Sequence, residues 1–413
     1  MPEFLELLTP EEGIAKLLHH VKTDQLRSEM IQTENGLNRV IAGNIHSNED
    51  IPAFTRSTVD GFAVRGRDTF GASDILPALF EVVGEIPMGK PSTLQLNKGQ
   101  AGLIHTGGML PVGADAVVMV ENTQYSNASE IEVYKAVPAG ENLILKGEDV
   151  RKSDLVLPKG KRIRASEIGA LMALGITEIE VYILPSVGIL STGDEVISPH
   201  VKPTLGQIRD INSYALSAIV EKYGGIPKCY PIIPDDKSEL LNSLKLAHAE
   251  NDLIIVTAGS SASVRDLTAD AINELGTPGV LVHGINVRPG KPTILAYANE
   301  KPIIGLPGNP VSAFVIANLI LRILMPKLRG EQNAISLPSI KGIITINVPS
   351  AAGREDWVPV RLLEEKIDGK IMVEPIFYKS NLIFSLINAY GLARIAPHVT
   401  GLAANSEVEI TLI

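Results

Sequence analysis

Between residues 185 and 328 the chain alternates short apolar strands with helices, and this alternation limits the possible folds more than any other feature of the sequence. Strands are predicted from Val187 to Thr192, from Lys228 to Ile233 and from Leu253 to Thr257, and a helix is predicted after each of them. Parallel strands need crossover helices of this kind, which cover both faces of the sheet. We therefore predict a central α/β domain with a mostly parallel sheet over residues 185–329.

The segments on either side of this region have different patterns. Residues 51–139 contain short β-branched runs broken by Gly and Pro, which predict a small β domain. Residues 330–413 contain alternating apolar and polar side chains, which predict a second β module. The capping sequence Thr9-Pro10-Glu11-Glu12 marks the start of a first helix, and a second helical stretch is expected before about Asn44.

Charge and cysteine content exclude several classes of protein. The 37 Lys and Arg residues are outnumbered by 47 Asp and Glu residues, which gives a net charge of −10, and no basic run occurs. Nucleic acid is therefore not expected as a partner. The single cysteine, Cys229, excludes an internal disulfide and a zinc site built on thiolate pairs, and it is compatible with a reducing compartment.

The hydrophobic segments do not indicate export or membrane insertion. The first ten residues lack the basic and apolar parts of a signal peptide. The most apolar stretch, from Val311 to Met325, is interrupted by Ser312, Asn318 and Arg322. We therefore expect a cytoplasmic protein without a membrane partner.

Three catalytic motifs are incomplete or absent. The stretch from Gly84 to Lys90 has the spacing of a phosphate-binding loop, but Pro91 stands where such loops carry Ser or Thr. Ser260 and Ser261 lack the G-x-S-x-G elbow of a serine hydrolase, and no H-E-x-x-H metal motif occurs. We expect no nucleophilic side chain in the mechanism.

Carboxylates follow the predicted strands of the α/β region. Asp194 and Glu195 follow the first strand, Asp235 and Asp236 follow the second, and Asp266 lies beyond the third. Ligands of open parallel sheets bind at this edge, and carboxylates that lie close together repel unless a cation joins them. The alternative is that each acid caps the next helix, and for Asp235 and Asp236 capping is the better interpretation.

Cations and exposed amides are predicted near the same edge. The turn Leu306-Pro307-Gly308-Asn309-Pro310 precedes a helix whose N-terminus favours phosphate. Arg288 and Lys291 lie in a loop between prolines, although they could also be solvated loop charges. Acids, cations and amides together suit a phosphorylated ligand bridged by magnesium.

Six phrases of the sequence resemble one family, the molybdopterin molybdenumtransferases, which are the MoeA-like enzymes related to the gephyrin E domain. They stand in order at residues 51–64, 104–118, 147–149, 191–195, 289–292 and 305–312. The resemblance extends from about residue 36 to Gly353-Arg354.

The fold implied by the resemblance is an elongated homodimer of four-part subunits. These parts are a helical and β linker region (1–50 and 140–184), an inserted β domain (51–139), a MoaB/MogA-like α/β molybdopterin-binding domain (185–329) and a C-terminal β-barrel (330–413). The active site of such proteins lies between the α/β domain of one subunit and the inserted domain of its partner.

The reaction implied by the resemblance is the last step of molybdenum cofactor biosynthesis. Adenylylated molybdopterin (molybdopterin-AMP) and molybdate are the substrates, molybdenum is inserted at the dithiolene, and AMP is released with the help of Mg²⁺. Transient contact with the molybdopterin adenylyltransferase is a further expectation.

The resemblance also assigns residues. Its catalytic residues are Asp60, Thr106, Asp149, Glu195 and Asp266, of which Asp60, Glu195 and Asp266 would bind the metal. Its pterin- and phosphate-binding residues are Ser191, Thr192, Gly193, Asp194, Gly259, Ser260, Ser261, Arg288, Pro289, Gly290, Lys291, Pro307, Gly308, Asn309 and Ser312.

The chain departs from the family pattern at Ala258, Ser263 and Val264, where the family has a glycine-rich loop with an acid. This change leaves two alternatives to a molybdenum insertase: a non-catalytic molybdopterin-binding scaffold or carrier, and an insertase that prefers tungstate. The adenylyltransferase of the preceding step uses a similar α/β domain, but the extra domains argue against it.

Overall fold

A computed structural model of the chain describes residues 7–258, 262–332, 339–367, 369–377 and 379–413. Its α-helices are α1 (Pro10–His20), α2 (Ala165–Ala173), α3 (Asn212–Lys222), α4 (Lys237–Glu250), α5 (Ala262–Leu275) and α6 (Pro310–Leu328). Thr9 caps α1 as predicted: its hydroxyl accepts from the Glu12 amide, and the Glu12 carboxylate accepts from the Thr9 amide.

The first half of the chain is mostly β structure. Its strands are β1 (Ser28–Gln32), β2 (Ile45–His46), β3 (Arg56–Ser57), β4 (Gly61–Val64), β5 (Ala78–Glu85), β6 (Gln100–Ile104), β7 (Ala116–Met119), β8 (Thr123–Tyr125), β9 (Glu130–Val133), β10 (Leu143–Ile144), β11 (Leu155–Leu157) and β12 (Glu178–Tyr182). Six of them form one sheet in the order β7-β4-β6-β5-β9-β8, around Phe62 and Phe80. This sheet lies within residues 51–139, for which the sequence predicts a small β domain.

The prediction of a second helix before about Asn44 is wrong. Strand β1 and a single 3₁₀ turn (Thr33–Asn35) occupy this segment, and β1 pairs antiparallel with β12, with Ser28 opposite Tyr182. The partner strand lies far along the chain, so this long-range pairing overrides the local helical pattern.

The α/β region forms one six-stranded sheet. The strands of the region are β13 (Ser186–Ser191), β14 (Val196–Ile197), β15 (Ile208–Arg209), β16 (Ile226–Cys229), β17 (Leu253–Ala258), β18 (Pro278–His283), β19 (Val287–Arg288), β20 (Ile294–Ala298) and β21 (Lys301–Pro307). The sheet order is β16-β13-β17-β21-β20-β18, in which the first four strands are parallel and the last two are antiparallel. The predicted α/β class is confirmed, although the antiparallel edge with β18 was not foreseen.

The C-terminal part closes into a barrel. Its strands are β22 (Ser339–Ile344), β23 (Val348–Pro349), β24 (Glu355–Ile367), β25 (Lys370–Pro375), β26 (Gly391–Ile395), β27 (Gly401–Leu402) and β28 (Glu407–Leu412). The order β24-β25-β22-β28-β26 returns to β24, so that each strand of the ring pairs on both sides. The expected β-barrel is confirmed. Strand β19 of the α/β region also pairs with β24, which joins the two domains.

Helix α6 is the central helix of the α/β domain. It is long and apolar enough to cross a membrane, with a mean hydropathy of 1.7, but 72% of its most apolar window is buried. Its apolar residues pack with those of α1, α3 and the sheet in one core. Burial inside this core accounts for the hydropathy of α6.

Arg329, directly after α6, links the α/β domain to the first part of the chain. It is 3% exposed, and it donates hydrogen bonds to the Tyr223 carbonyl (3.1 Å) and to the Asn38 carbonyl. Burial lowers the pKa of Arg329 from its usual value. The guanidinium therefore satisfies carbonyl groups of two domains at a desolvated position.

We expect Arg329→Ala to lower the free energy of unfolding by about 2–3 kcal/mol, because two carbonyls lose a charged donor. Urea unfolding followed by the fluorescence of Trp357 measures this loss. Arg329→Lys is the control, since it retains the charge and one donor group, and it should destabilise less. Equal stability of Arg329→Ala and the wild type would contradict the proposed link.

Candidate functional site

A cleft lies between the α/β domain and the barrel, where β19 pairs with β24. It encloses a cavity of about 750 Å³. Its lining from the α/β domain includes Arg288, Pro289, Gly290, Lys291, Asn309 and Ser312, and its lining from the barrel includes Arg354, Asp356, Phe377, Lys379 and Ser380. Six residues that the sequence predicted for pterin and phosphate binding therefore lie around one cavity.

The charges around this cleft are mainly positive. Arg288, Lys291, Arg354 and Lys379 line it, whereas Asp356 is the carboxylate among the described lining residues. The Asp356 side chain is 5% exposed and accepts from Arg354 Nε at 2.8 Å, and Arg288 Nη1 lies 3.8 Å from its other oxygen. One buried carboxylate thus holds arginines from two domains, and the remaining positive charge suits an anionic ligand.

Gly290 fixes the loop that carries Arg288 and Lys291. Its φ of +105° is unfavourable for other residues, and a Cβ atom there would lie 2.2 Å from Cγ1 of Ile316 on α6. The Thr293 hydroxyl donates to the Gly290 carbonyl at 2.7 Å. The glycine therefore allows the loop to pack directly on α6.

The turn before α6 forms the adjacent wall. Asn212 donates from its side chain to the Gly308 carbonyl at 2.9 Å, which ties the start of α3 to this turn. The Ser380 carbonyl accepts from the Val311 amide at 3.0 Å, so the barrel also contacts the first turn of α6. Pro307 is the last residue of β21 and precedes this turn.

An acidic cluster lies beyond β13, at the carboxyl edge of the sheet. The Asp235 amide donates to the Asp194 carboxylate at 3.1 Å, and one buried oxygen of Asp235 has no hydrogen-bond partner. Burial, and then the charges of Asp194 and Glu195, raise the pKa of Asp235 above its usual value. These three acids are close enough to repel one another.

The two neighbouring aspartates differ in role. Asp236 caps α4 by accepting from the Ser238 and Glu239 amides, and the bond from the Ser238 side chain is the main cause of its lowered pKa. The capping interpretation fits Asp236, whereas Asp235 turns towards Asp194. The sequence pattern Asp-Asp contained no signal to separate them.

The end of β13 is buried beside this cluster. Ser191 and Thr192 are 3% and 6% exposed, and Thr257 Oγ1 lies 3.4 Å from Ser191 Oγ. The Thr192 hydroxyl is buried without a hydrogen-bond partner. Gly193 follows with a φ of +138°, which turns the chain towards Asp194.

Asp60 and Thr106 form a separate group on the inserted domain. The Thr106 amide and hydroxyl donate to Asp60 Oδ1 at 2.8 and 3.2 Å, and the amide bond is the main cause of the lowered pKa of Asp60. His105 lies between two acids, with Nε2 at 2.9 Å from Glu85 and Nδ1 at 3.7 Å from Asp60. The sequence analysis had not placed His105 or Glu85 near the predicted site.

Among the contacts of the described residues, Asp149 is not joined to either of these groups. Asp149 is exposed and its amide donates to the Ile51 carbonyl at 3.0 Å. Gly259, Ser260 and Ser261 lie outside the described residues, as does the side chain of Asp266, whose backbone belongs to α5. Within the described part of the chain, no hydrogen bond or ion pair connects Asp60, Thr106 or Asp149 with Glu195.

No group of three or more His, Cys, Asp or Glu side chains is arranged to hold a metal ion, so far as the chain is described. The predicted metal ligands Asp60 and Glu195 belong to different groups of side chains: Asp60 is bound by Thr106, and Glu195 belongs to the acidic cluster with Asp194 and Asp235.

Comparison with known proteins covers the same three parts of the chain. Family models match at residues 8–175 (MoeA N-terminal region, domain I and II), 188–329 (probable molybdopterin binding domain) and 341–413 (MoeA C-terminal region, domain IV). The molybdopterin molybdenumtransferase of Haemophilus influenzae is 30% identical over 381 residues, which cover 92% of each chain. The chain belongs to the molybdopterin molybdenumtransferase family.

Further relatives agree with this membership. The molybdopterin molybdenumtransferase of Bacillus subtilis is 30% identical over 416 residues, which are 99% of this chain and 95% of that protein. A crystal structure of the molybdopterin biosynthesis MoeA protein from Pyrococcus horikoshii OT3 superposes with a TM-score of 0.85 at 31% identity, over 99% of this chain and 100% of that one. Membership assigns this MoeA-like chain to molybdenum cofactor biosynthesis, with a molybdopterin-binding domain.

The barrel side of the cleft was missed by the sequence analysis. Arg354, Asp356, Lys379 and Ser380 line the cavity but were not named as site residues. The phrase Gly353-Arg354 was the available signal, since it ended the family resemblance, but only the structure shows that Arg354 and Arg288 contact the same carboxylate, that of Asp356.

We expect Asp356→Asn to lower the free energy of unfolding by about 2 kcal/mol, because two arginines lose a buried anionic partner. Urea unfolding measures this change. Glu407→Gln is the matched control in the same barrel, since Glu407 pairs at the surface with Lys341 and Lys370 and its loss should have little effect. Equal effects of the two substitutions would contradict the role assigned to Asp356.

We expect Asp235→Asn to stabilise the metal-free protein at pH 7. The raised pKa means that the folded chain binds the proton of Asp235 more readily than the unfolded chain, so the charged form lowers stability at neutral pH. The advantage of Asp235→Asn should shrink as the pH falls through the raised pKa of the folded state, and it should vanish below the unfolded pKa of about 3.9, where the carboxyl is protonated in both states. Thermal unfolding in chelator-treated buffer measures it, and a variant less stable than the wild type at pH 7 would overturn the assignment.

Proposed function

We propose that this chain inserts molybdenum from molybdate into adenylylated molybdopterin and releases AMP, with Mg²⁺ and as a homodimer. The observation that carries the proposal is the cleft of about 750 Å³, which four cations and one buried carboxylate line. Both substrates are anionic, since one is an oxyanion and the other a phosphoanhydride. Family membership supplies the reaction, and the cleft supplies a place that fits its substrates.

The cationic residues have the binding role in this proposal. Arg288 and Arg354 present planar guanidinium groups, which suit phosphate and other tetrahedral oxyanions. Lys291 and Lys379 add point charges, and the turn at Gly308 offers close approach to the backbone. These groups hold and orient the anions, so that the reacting atoms are positioned without a nucleophilic side chain.

The acidic cluster has a different role. Asp194, Glu195 and Asp235 offer carboxylate oxygens, the ligands that Mg²⁺ prefers, but the described residues of one chain do not arrange three such side chains around an ion, so a bound ion would need further ligands from a second chain. A bound divalent cation would polarise the phosphoanhydride and offset the carboxylate charge. In the metal-free protein, Asp235 relieves the repulsion by binding a proton more readily than an ordinary aspartate.

The second subunit completes the site in this proposal. Asp60 stays charged through its bonds from Thr106, yet it has no hydrogen bond or ion pair to the acidic cluster in the described part of its own chain. A partner chain that places Asp60 and Thr106 opposite Glu195 would join this pair to the acidic cluster. Asp266 and the loop 259–261 are proposed to contribute from the α/β domain.

The decisive assay supplies purified protein with adenylylated molybdopterin, molybdate and Mg²⁺. Molybdate-dependent AMP release supports the insertase. Binding without AMP release supports the scaffold or carrier, and faster release with tungstate than with molybdate supports the tungstate alternative. Consumption of ATP with free molybdopterin would instead indicate the adenylyltransferase.

We expect Asp60→Ala and Glu195→Ala each to lower AMP release at least about 100-fold, because each removes a charge from the proposed reaction centre. Mixing the two inactive chains should restore about a quarter of wild-type activity, because half of the randomly formed dimers then contain one intact site. The fluorescence of Trp357 checks folding. Failure of the mixture to recover activity, with mixed dimers demonstrated, would refute the shared site.

A further inference from the structure

Phe377 and Trp357 are the aromatic side chains among the described residues that line the cleft, and they differ in exposure. Phe377 lines the cavity next to Lys379 and Ser380, yet its side chain is 62% exposed. A single exposed apolar residue is common at a protein surface. The four cations of the cleft suit a charged ligand. Phe377 adds an exposed aromatic surface to the same cleft.

The backbone around Phe377 is anchored on both sides. The Ile376 amide donates to the Pro359 carbonyl at 2.8 Å, which fixes the segment to β24. The Ser380 carbonyl accepts from the Val311 amide at 3.0 Å, which fixes the other end to α6. Ile376 and Ser380, on either side of Phe377, are thus tied to the barrel and to α6 respectively.

The other aromatic side chain in the described lining cannot present a free face. Trp357 is 5% exposed, and its indole nitrogen donates to Glu355 at 2.6 Å. The Arg322 guanidinium lies 5.5 Å from the centre of its ring. Among the described lining residues, Phe377 is thus the aromatic ring available to a ligand in the cavity.

We propose that Phe377 is a specificity-determining residue that stacks on the pterin ring of the substrate. This inference rests on the proposed function and adds to it the side of the cleft that receives the pterin. A pterin is a flat heteroaromatic ring, and such rings stack on aromatic side chains in a way that an aliphatic side chain does not reproduce. The ring then lies towards the barrel, and the anionic groups face Arg354 and Arg288.

A protein interface is the competing use of this segment. Phe384, Ile387 and Tyr390 follow Phe377 in the chain and are 80%, 71% and 62% exposed. None of these three lines the cationic cavity. Phe384 is therefore the matched control: it shares the segment, the residue type and the exposure of Phe377, but not its place in the cleft.

The test measures binding of molybdopterin, prepared anaerobically from a denatured molybdenum enzyme, by ultrafiltration, after which the pterin in the bound and free fractions is oxidised and quantified by fluorescence. Phe377→Ala should weaken binding about 10-fold, whereas Phe377→Tyr should stay within about 3-fold of the wild type. Phe377→Leu should resemble Phe377→Ala, because it keeps apolar surface but not the aromatic face. Phe384→Ala should bind like the wild type.

Three results would overturn the stacking role. They are unchanged binding in Phe377→Ala, full recovery by Phe377→Leu, and a wild type that does not bind molybdopterin. A change of oligomeric state in Phe377→Ala with unchanged binding would assign the residue to a protein interface instead. The proposed function is judged separately by AMP release from the wild type, so either claim can fail while the other stands.

Discussion

The pairing of β19 with β24 is the contact on which the candidate site depends. It sets Arg288 opposite Asp356 across a two-residue parallel ladder between the α/β domain and the barrel. Asp356 is buried, and a buried carboxylate requires compensating charges, which Arg354 and Arg288 supply. The same contact therefore joins the domains, satisfies the acid and turns two guanidinium groups towards one cleft.

The fold separates charges that the composition mixes. The chain has a net charge of −10, yet one cleft of the α/β domain and barrel gathers four cations, and the edge beyond β13 gathers three acids. Both groupings carry an electrostatic cost in the free protein, and ligands of opposite charge relieve it. The cationic cleft therefore suits an anionic ligand, and the acidic edge is the less favourable place for one.

Local patterns predicted much of the fold and part of the site. The strand and helix periods of the α/β region identified β13, β17 and the helices around them, and the prolines and glycine near Lys291 marked a binding loop. Contacts between distant segments were not predictable in this way. The pairing of β1 with β12 replaced an expected helix, and the barrel residues of the cleft depend on β24. Asp235 and Asp236 are adjacent in sequence, and only the structure distinguishes them: Asp235 belongs to the acidic cluster, whereas Asp236 caps α4.

The separation of the Asp60–Thr106 pair from the acidic cluster has an energetic consequence. Hydrogen bonds from Thr106 lower the pKa of Asp60, whereas burial and the charges of Asp194 and Glu195 raise the pKa of Asp235. Bringing these groups together without a cation would raise the repulsion, whereas bringing them together around one would be favourable. If the partner subunit supplies Asp60, cation binding favours closure of the shared site, and closure strengthens cation binding by the same amount, because binding linkage is reciprocal. The carboxylates would then favour the closed site only when the cation is bound. The reaction would accordingly be limited to the cation-bound dimer.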